Sequence, residues 1–431
     1  MIEEIRNEHW RRHLTAVVEA GPEQYSRVEG PYRAMTSWMM DQNRRLFREG
    51  ESALQLPDAL RMVAIAMSPD LPVASNSMDD AGSRLLTSLW ILRHPSVVQV
   101  VRDGYAACPR PRRRDALALL ACQRTKEAVE ATRDLVGSYG LPRCHPRFFD
   151  ELCAAPELVP LIATVLVEQG EAQLPGVADV VIRALTEGTL SPRDDGLTSL
   201  APRLDRLAAR LLEEAASAQR ARAGRWRDED DDGYGMLRAK LGASLDLVSR
   251  IPVCEAKVLE LAAAQPDPHI AVCAVDGILN RSGEPDSGAL ERAASSAETR
   301  LALYHTLERN GRLELFPPEL FTFEAFASAA MVDWLLYPTE LGYEPPEIEL
   351  VHRVEGRNED GEAGLWCVWR FTDDQGQAFA GASGPYPEAG EATDVLGAPA
   401  QCFSRFDAWD ECTPDEHLER IVGNLEAWGA R

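Results

Sequence analysis

The feature that most constrains this chain is a long run of apolar helical segments separated by short breaks. From about Ala81 to Pro318, apolar segments of roughly 12–18 residues alternate with breaks rich in proline, glycine or aspartate. Almost none of the segments shows the period-two alternation of a half-buried strand. Because short connections make successive helices antiparallel neighbours, the sequence predicts a mainly α protein built from stacked helices.

The clearest repeat begins at Asp267. Asp267 and Pro268 occupy the positions expected for a helix N-cap and the first helical residue. An apolar helical pattern follows, and a glycine-containing turn leads to a second pattern that includes Leu307. The segment DPHIAVCAVDGILNRSGEPDSGALERAASSAETRLALYHTLERNGRLELFPPEL resembles a bacterial HEAT-type helical repeat. The resemblance implies an α-solenoid, a fold class that usually serves as a protein-binding scaffold.

The pattern changes after about residue 319. A helical segment ending at Pro338 precedes three strand-like segments, EIELVHRVEG, GLWCVWRF and GQAFAGASGPY, which turns separate. A last helix is predicted to begin at Thr413, and Glu416 has the spacing of a capping box. The sequence therefore predicts a small α+β domain with the order helix, three antiparallel strands, helix. MVDWLLYPTELGYEPPEIEL, before the strands, resembles a block in poorly characterised bacterial HEAT-repeat proteins and brings no catalytic residues with it.

These patterns divide the chain into three predicted regions. Residues 1–80 form an atypical helical N-terminal cap, residues 81–318 a HEAT-like array, and residues 319–431 an acidic α+β domain. A hydrophilic segment from Ala216 to Gly235, first basic and then acidic, is predicted to be an exposed loop inside the array.

Charge is concentrated at the C-terminal end. The chain has a net charge of −24, and residues 313–431 contain 24 Asp and Glu but only 6 Arg and no Lys. The resulting −18 repels nucleic acid and anionic membranes and attracts basic partners. Basic residues are almost all Arg, 42 against 3 Lys, as is typical of a GC-rich bacterial genome.

Other composition features indicate a cytoplasmic protein without a membrane span. No stretch approaches ~18 uninterrupted apolar residues, and the first residues lack the apolar region of a secretory signal. Nine cysteines without any CxxC pair favour reduced, buried thiols over disulfides or a zinc site.

No motif identifies an enzyme or a cofactor. P-loop, GxGxxG, GxSxG and HExxH patterns are absent from the sequence. His9 and His13 are four residues apart but lack the glutamate of HExxH. The acidic segment from Asp228 to Gly233 begins like a calcium loop, yet Ala239 stands where the twelfth residue should be glutamate. We therefore expect no catalytic residues, no metal and no cofactor.

Two residue sets are candidate binding sites. Arg112, Arg113 and Arg114 form a compact basic patch, predicted to be an exposed loop that contacts phosphate, an acidic partner or the acidic C-terminal domain. Trp366 and Trp369 alternate on opposite faces of a predicted strand, and Tyr386 ends the next one. A three-stranded sheet with helices on one face buries one side only, so one aromatic row is a candidate to be open to a partner or to pack on the array. The alternative, which the pattern favours, is that the whole aromatic cluster is core or interdomain contact.

The sequence thus favours a non-enzymatic scaffold or adaptor that binds another protein. Its acidic C-terminal domain suits a basic partner, and a specific form of this hypothesis is an immunity or inhibitor protein for a basic bacterial toxin. The alternative is a HEAT-like enzyme that removes bases from nucleic acid, such as a glycosylase. The near-neutral array argues against that alternative, whereas an Arg-lined groove enclosing a buried carboxylate would favour it.

Overall fold

A computed structural model gives the structure of most of the chain. It describes residues 56–71, 73, 80–90, 92–221, 232–337, 339–357, 363–387, 392–397, 401–406 and 408–429. His9, His13, most of the predicted N-terminal cap and most of the segment from Asp228 to Gly233 lie outside the described residues. Within them the chain is mostly helical, with one small antiparallel sheet near the C-terminus. The chain divides into two compact units, and the boundary falls between Leu200 and Ala201.

The first unit is described as a series of short helices. They are α1 (Leu56–Met67), α2 (Ala81–Ser88), α3 (Pro95–Tyr105), α4 (Arg110–Ala121), α5 (Lys126–Tyr139), α6 (Pro146–Cys153), α7 (Ala163–Gln169) and α8 (Leu174–Thr186). Each helix packs against the helix two places further along the chain. One row of contacts joins α1, α3, α5 and α7, and another joins α2, α4, α6 and α8. The rows are linked by contacts between consecutive helices.

Two glutamines make the same set of hydrogen bonds within this unit. Gln123 accepts from the main-chain N–H of His94 at 2.8 Å and donates to the carbonyl oxygen of Leu92 at 2.7 Å. Gln173 accepts from the N–H of Cys144 at 2.5 Å and donates to the carbonyl oxygen of Pro142 at 2.6 Å. Each glutamine therefore binds the main chain just before a helix, through the N–H group of the residue 29 positions earlier. The first unit thus repeats this pair of hydrogen bonds as well as its helix packing.

The second unit continues with helices before the sheet. Its helical elements are the remainder of α9 (Asp195–Ala221), α10 (Asp232–Arg250), α11 (Ala256–Ala263), α12 (Pro268–Asn280), α13 (Ser287–Ser295), α14 (Ala297–Arg309) and α15 (Phe323–Leu335). Contacts again join alternate helices, from α10 to α12 and from α12 to α14. Asp267 caps α12 as predicted, because its carboxylate accepts from the N–H of His269 at 2.9 Å.

The sheet contains four antiparallel strands in chain order. They are β1 (Ile348–Arg357), β2 (Ala363–Thr372), β3 (Ala378–Tyr386) and β4 (Gln401–Arg405). The short helix α16 (Ala392–Gly397) lies between β3 and β4, and α17 (Pro414–Gly429) follows the sheet. The prediction of three strands was therefore incomplete: β4 has only five residues and no period-two apolar pattern to announce it.

Helices cover both faces of the sheet, so neither face is left open. Trp366, Val368 and Ala382 pack against Leu418 and Ile421 of α17. On the opposite face α15 contacts β1, β3 and β4, and the thiol of Cys402 lies 3.5 Å from the carbonyl oxygen of Ala330 in α15.

The predicted capping box at the start of α17 is confirmed. The main-chain N–H of Thr413 donates to the Glu416 carboxylate at 2.8 Å, and the N–H of Glu416 donates to the Thr413 hydroxyl at 3.4 Å. The hydrogen bond from Thr413 holds the pKa of the Glu416 carboxyl below its usual range. In the part of the chain that the structure describes, no helix combines the length and apolar character needed to cross a membrane.

Candidate binding site on helices α2, α4 and α6

The arginine run predicted to be an exposed loop forms the beginning of α4 instead. Arg112 is fully buried, so the prediction that it lies in an exposed loop is wrong. Its Nε and Nη2 donate to the two carboxylate oxygens of Asp80 at 2.7 and 2.9 Å. Its Nη1 lies 3.3 Å from the carbonyl oxygens of Ala66 and Ser68. The guanidinium therefore joins α4 to α1 and α2 and presents nothing to a partner.

Glycine makes room for this contact at the start of α2. Asp80 caps α2 by accepting from the N–H of Ser83 at 2.7 Å. A Cβ atom at Gly82 would overlap the Arg112 guanidinium. The close approach of Arg112 to the helix start therefore requires the missing side chain at Gly82.

Arg113 is also engaged with its own unit. Its guanidinium carbon lies 5.3 Å from the ring centroid of Tyr105 and 5.2 Å from that of Tyr139. It also donates to the carbonyl oxygens of Ala106 and Cys108, each at 3.1 Å. These cation–π contacts and hydrogen bonds hold Arg113 against α3 and α5.

The third arginine lies beside a buried carboxyl group that the sequence did not single out. Arg114 is about one third exposed, and its Nε is 3.5 Å from Oδ1 of Asp115, which is only 1% exposed. Burial raises the pKa of Asp115, while the neighbouring Ser83 hydroxyl and Arg114 oppose the rise. Asp115 is the first of seven consecutive buried residues in α4.

Several polar atoms around Asp115 have no hydrogen bond of standard geometry. They are Ser83 Oγ, Trp90 Nε1, Arg114 Nε and Asp115 Oδ2, four of the ten such buried side-chain atoms among the described residues. Because folded proteins satisfy nearly all of their buried polar groups, a concentration of exceptions marks a candidate site. We name Ser83, Trp90, Arg114, Asp115 and His145 the Asp115 cluster.

His145 joins the cluster from the start of α6. Its Nδ1 accepts from the N–H of Arg147 at 3.1 Å, so the proton of the neutral ring lies on Nε2. Burial lowers the pKa of His145, although the Asp115 carboxylate opposes the decrease. The ring stands edge-on to Trp90, with 4.7 Å between centroids. The neutral imidazole of His145 therefore packs against the Trp90 indole and interacts electrostatically with the buried Asp115 carboxyl group.

The sequence around the cluster is basic in an otherwise acidic chain. Residues 84–147 contain 12 Arg and Lys against 5 Asp and Glu, a net charge of +7. The exposed Arg and Lys of this set are Arg84, Arg93, Arg102, Arg110, Lys126, Arg143 and Arg147. The first unit therefore presents a basic surface segment, although the charge of the whole chain suggests the opposite.

The predicted aromatic binding residues are all in the core of the sheet domain. Trp366 packs under α17, and the indole N–H of Trp369 donates to the Ser383 hydroxyl at 2.8 Å. Tyr386 is fully buried, with its ring 5.2 Å from that of Phe323. These three side chains are therefore core residues and not an open aromatic row, because α15 and α17 cover opposite faces of the sheet.

A second buried polar group lies in the second unit and is internally paired. The Tyr234 hydroxyl donates to Oδ2 of Asp267 at 2.6 Å, and Gln219 donates to the Tyr234 oxygen at 2.9 Å. Arg238 forms ion pairs of 3.1 Å with Asp267 and 3.0 Å with Glu298. Because Arg238 is paired with both carboxylates, this group explains helix packing and does not call for a ligand.

Comparisons with known proteins leave the family open. No protein-family model matches the chain, and no curated protein or solved structure is similar to it. The Asp115 cluster therefore stands on its own geometry. Sequence patterns missed it because Ser83, Trp90, Asp115 and His145 come from separate segments. One signal was present, since Asp115 directly precedes the apolar run ALALLA and thus begins an inward-facing turn.

Proposed function

We propose that this chain is a non-enzymatic helical-repeat protein that binds another protein, with its helices arranged as a HEAT-like α-solenoid. The alternate-helix contacts support this proposal, because stacked helix pairs bury a continuous core through neighbours of the same row. The matching hydrogen bonds of Gln123 and Gln173 support it further, since a repeated architecture makes the same contact in successive repeats.

The observation that carries the choice of partner is an exposed set of carboxylates near the start of α17. Asp410, Glu411, Asp415, Glu416 and Glu419 are all exposed, and we name them the acidic surface. Part of this charge stabilises the helix N-terminus, as in many helices. Asp410 and Glu411 precede the helix, however, and their charge adds to a domain that carries −18. The complementary partner is a basic protein. In a more specific version of this proposal, the partner is a basic toxin that the chain neutralises.

Partner capture with a charge-neutralised variant tests the proposal. The triple variant Asp410→Asn/Glu411→Gln/Glu419→Gln leaves the capping pair Thr413 and Glu416 in place. We expect the unmodified chain to retain a discrete set of basic proteins at about 0.05 M salt and to release them at about 0.5 M, where screening is strong. The triple variant should retain them poorly at both salt concentrations, as measured by quantitative mass spectrometry.

A matched control removes the same charge from the first unit. Asp103, Glu127 and Glu157 are exposed there, and their replacement by Asn, Gln and Gln changes the net charge by the same amount. The control variant should retain the basic proteins as well as the unmodified chain does. Equal loss in both variants, or retention that does not respond to salt, would contradict recognition by the acidic surface.

The Asp115 cluster favours a second candidate function, the removal of bases from nucleic acid. A buried carboxylate beside a basic segment could stabilise the positive charge that develops on a sugar as its bond to the base breaks and water adds to the sugar. This candidate predicts salt-sensitive binding of duplex DNA and release of free base from an alkylated duplex. Asp115→Asn should abolish release and leave duplex binding unchanged. Absence of duplex binding at about 0.05 M salt excludes the candidate.

A further inference from the structure

Two helices of the first unit begin with the same cap, a histidine followed by a proline. At the start of α3, His94 Nδ1 accepts from the main-chain N–H of Ser96 at 3.2 Å, and at the start of α6, His145 Nδ1 accepts from that of Arg147 at 3.1 Å. These are the two histidines that the structure describes in this unit. An imidazole caps a helix only while Nδ1 keeps its lone pair, so proton uptake at Nδ1 cancels the cap.

The His145 ring has a second contact that depends on its position. The ring is half-buried and stands edge-on to Trp90, with 4.7 Å between centroids. Gln173 holds the main chain just before it, through the N–H of Cys144 and the carbonyl oxygen of Pro142. Loss of the cap therefore frees the ring from the Trp90 indole, while the preceding turn stays bound to Gln173.

Charged groups on two helices act on the His145 ring. Arg114 and Asp115 lie on α4, and Arg147 and Asp150 lie on α6. Burial, the largest effect, lowers the pKa of His145 below its ordinary value of 6.5, the two arginines add to the decrease and the two aspartates oppose it. The ring is therefore neutral at pH 7 and takes up a proton only below about pH 6.5.

The other helix packed on α6 brings its charges to the opposite end. Asp179 and Arg183 of α8 act on Cys153, the last residue of α6. We propose that His145 makes the start of α6 a pH-sensitive switch. While the ring is neutral, Nδ1 caps the helix and the ring packs on Trp90. When the ring takes up a proton from solvent, the N–H of Arg147 loses its acceptor, the first turn of α6 opens, and the basic surface segment gains one positive charge.

The Trp90 indole and the Arg147 amide report the two consequences. In a proton–nitrogen correlation spectrum of the full chain, the Trp90 Nε1–H signal is assigned by its loss in Trp90→Phe. We expect this signal to shift with a one-proton titration between about pH 7.5 and about pH 4.5. Over the same range, the Arg147 amide should lose about fivefold or more of its protection against hydrogen exchange. Constant protection of this amide while the His145 ring titrates would overturn the proposal, as would a ring that stays neutral throughout.

Two matched substitutions separate His145 from the other histidine cap. His145→Asn supplies a cap oxygen that does not titrate, so both responses should disappear while α6 stays capped. His94→Asn makes the same change at the start of α3 and should leave both responses in place. Loss of the responses in both variants would show that they do not report the start of α6.

Neighbouring charges provide a signed test of the same assignment. Arg114→Gln should raise the midpoint of the Trp90 transition, and Asp150→Asn should lower it, each by roughly 0.2–0.7 pH units. The buried carboxyl group of Asp115 is the rival source of the transition. A Trp90 transition that survives His145→Asn and disappears in Asp115→Asn would assign the titration to that carboxyl group and refute the switch.

Discussion

Both units begin a helix with a buried aspartate that is paired to an arginine about thirty residues away. In the first unit Asp80 caps α2 and pairs with Arg112, while in the second Asp267 caps α12 and pairs with Arg238. The pairs differ in their surroundings. Asp80 receives two parallel hydrogen bonds from Arg112, whereas Asp267 also accepts from Tyr234, and Arg238 is shared with Glu298. Arg112 thus gives Asp80 a bidentate ion pair, whereas Arg238 is shared between Asp267 and Glu298; we refer to the two arrangements as the pair and the network.

The difference indicates how strongly the stability of each unit depends on one arginine side chain. Breaking a buried pair by removing one partner leaves an uncompensated charge, which is far more costly than the pair itself is favourable. When its arginine is lost, Asp80 keeps the main-chain N–H of Ser83, whereas Asp267 keeps the main-chain N–H of His269 and also the hydroxyl of Tyr234. We therefore expect the first unit to be more sensitive than the second to loss of its arginine.

The largest expected effect comes from the arginines themselves. Arg112→Met should lower the free energy of unfolding by about 3–5 kcal/mol, because Asp80 remains buried and loses its counter-charge. Arg238→Met should lower it by roughly 1–3 kcal/mol, since Tyr234 and the N–H of His269 still satisfy Asp267, and burial raises the pKa of Glu298 and so favours its neutral form once Arg238 is gone. Chemical denaturation followed by circular dichroism measures both values.

A double variant shows whether the effect of Arg112→Met is electrostatic. Asp80→Asn keeps an oxygen to cap α2 and removes the buried charge, so Asp80→Asn/Arg112→Met should recover much of the lost stability. Equal losses for Arg112→Met and Arg238→Met would remove the distinction between pair and network.

Local signals predicted the caps but not their partners. Asp267 with Pro268 and Thr413 with Glu416 were predicted because a cap is written within four residues of sequence, and both are confirmed. The burial of Arg112 could not be predicted in the same way, since Asp80 is 32 residues away and only the packing of α4 against α2 brings the two together. Long-range pairing is the information that a helical pattern does not contain.

The sheet domain shows the same limit. Three strands were recognised from alternation, but the burial of Trp366, Trp369 and Tyr386 depends on which helix covers which face. The alternation of side chains along β2 shows which residues share a face, but it does not show which helix, if any, packs on each face. The candidate site was out of reach for a similar reason, because the unsatisfied atoms around Asp115 become evident only when segments from three helices meet.

The network has a titratable member that the pair lacks. Two residues after the capping aspartate, the second unit has His269 where the first has Gly82. Burial and, to a smaller extent, the neighbouring Arg238 lower the pKa of His269 to about 4, while Asp267 opposes the decrease. In the unfolded chain a histidine has a pKa of about 6.5. Between these values the unfolded chain binds a proton that the folded chain does not, so stability falls as the pH decreases from about 6.5 to about 4.

The expected loss across this range is roughly 3 kcal/mol for the single histidine. His269→Gln should flatten this part of the stability profile, measured by denaturation at a series of pH values. His305 is an exposed histidine of the same unit, so His305→Gln serves as the control and should keep the slope. A fall in stability that persists in His269→Gln would show that the histidine is not its source. Glu298 would not explain such a fall either, because burial raises the pKa of its carboxyl group and its contribution to stability therefore increases as the pH decreases.

The smallest effects are expected for alanine substitutions at two helical glycines, Gly82 and Gly137. A Cβ at Gly82 would overlap the Arg112 guanidinium, whereas a Cβ at Gly137 in α5 would meet no atom within 4 Å. Gly82→Ala should therefore lower the free energy of unfolding by about 1–3 kcal/mol through forced displacement of a buried side chain. Gly137→Ala should raise it by about 0.5–1 kcal/mol, because alanine is the better helix former. Combining Gly82→Ala with Arg112→Met tests whether the overlap with the guanidinium causes the loss. In the Arg112→Met background, Gly82→Ala should lower the free energy of unfolding by little more. Fully additive losses would show that the glycine is not needed to accommodate the arginine.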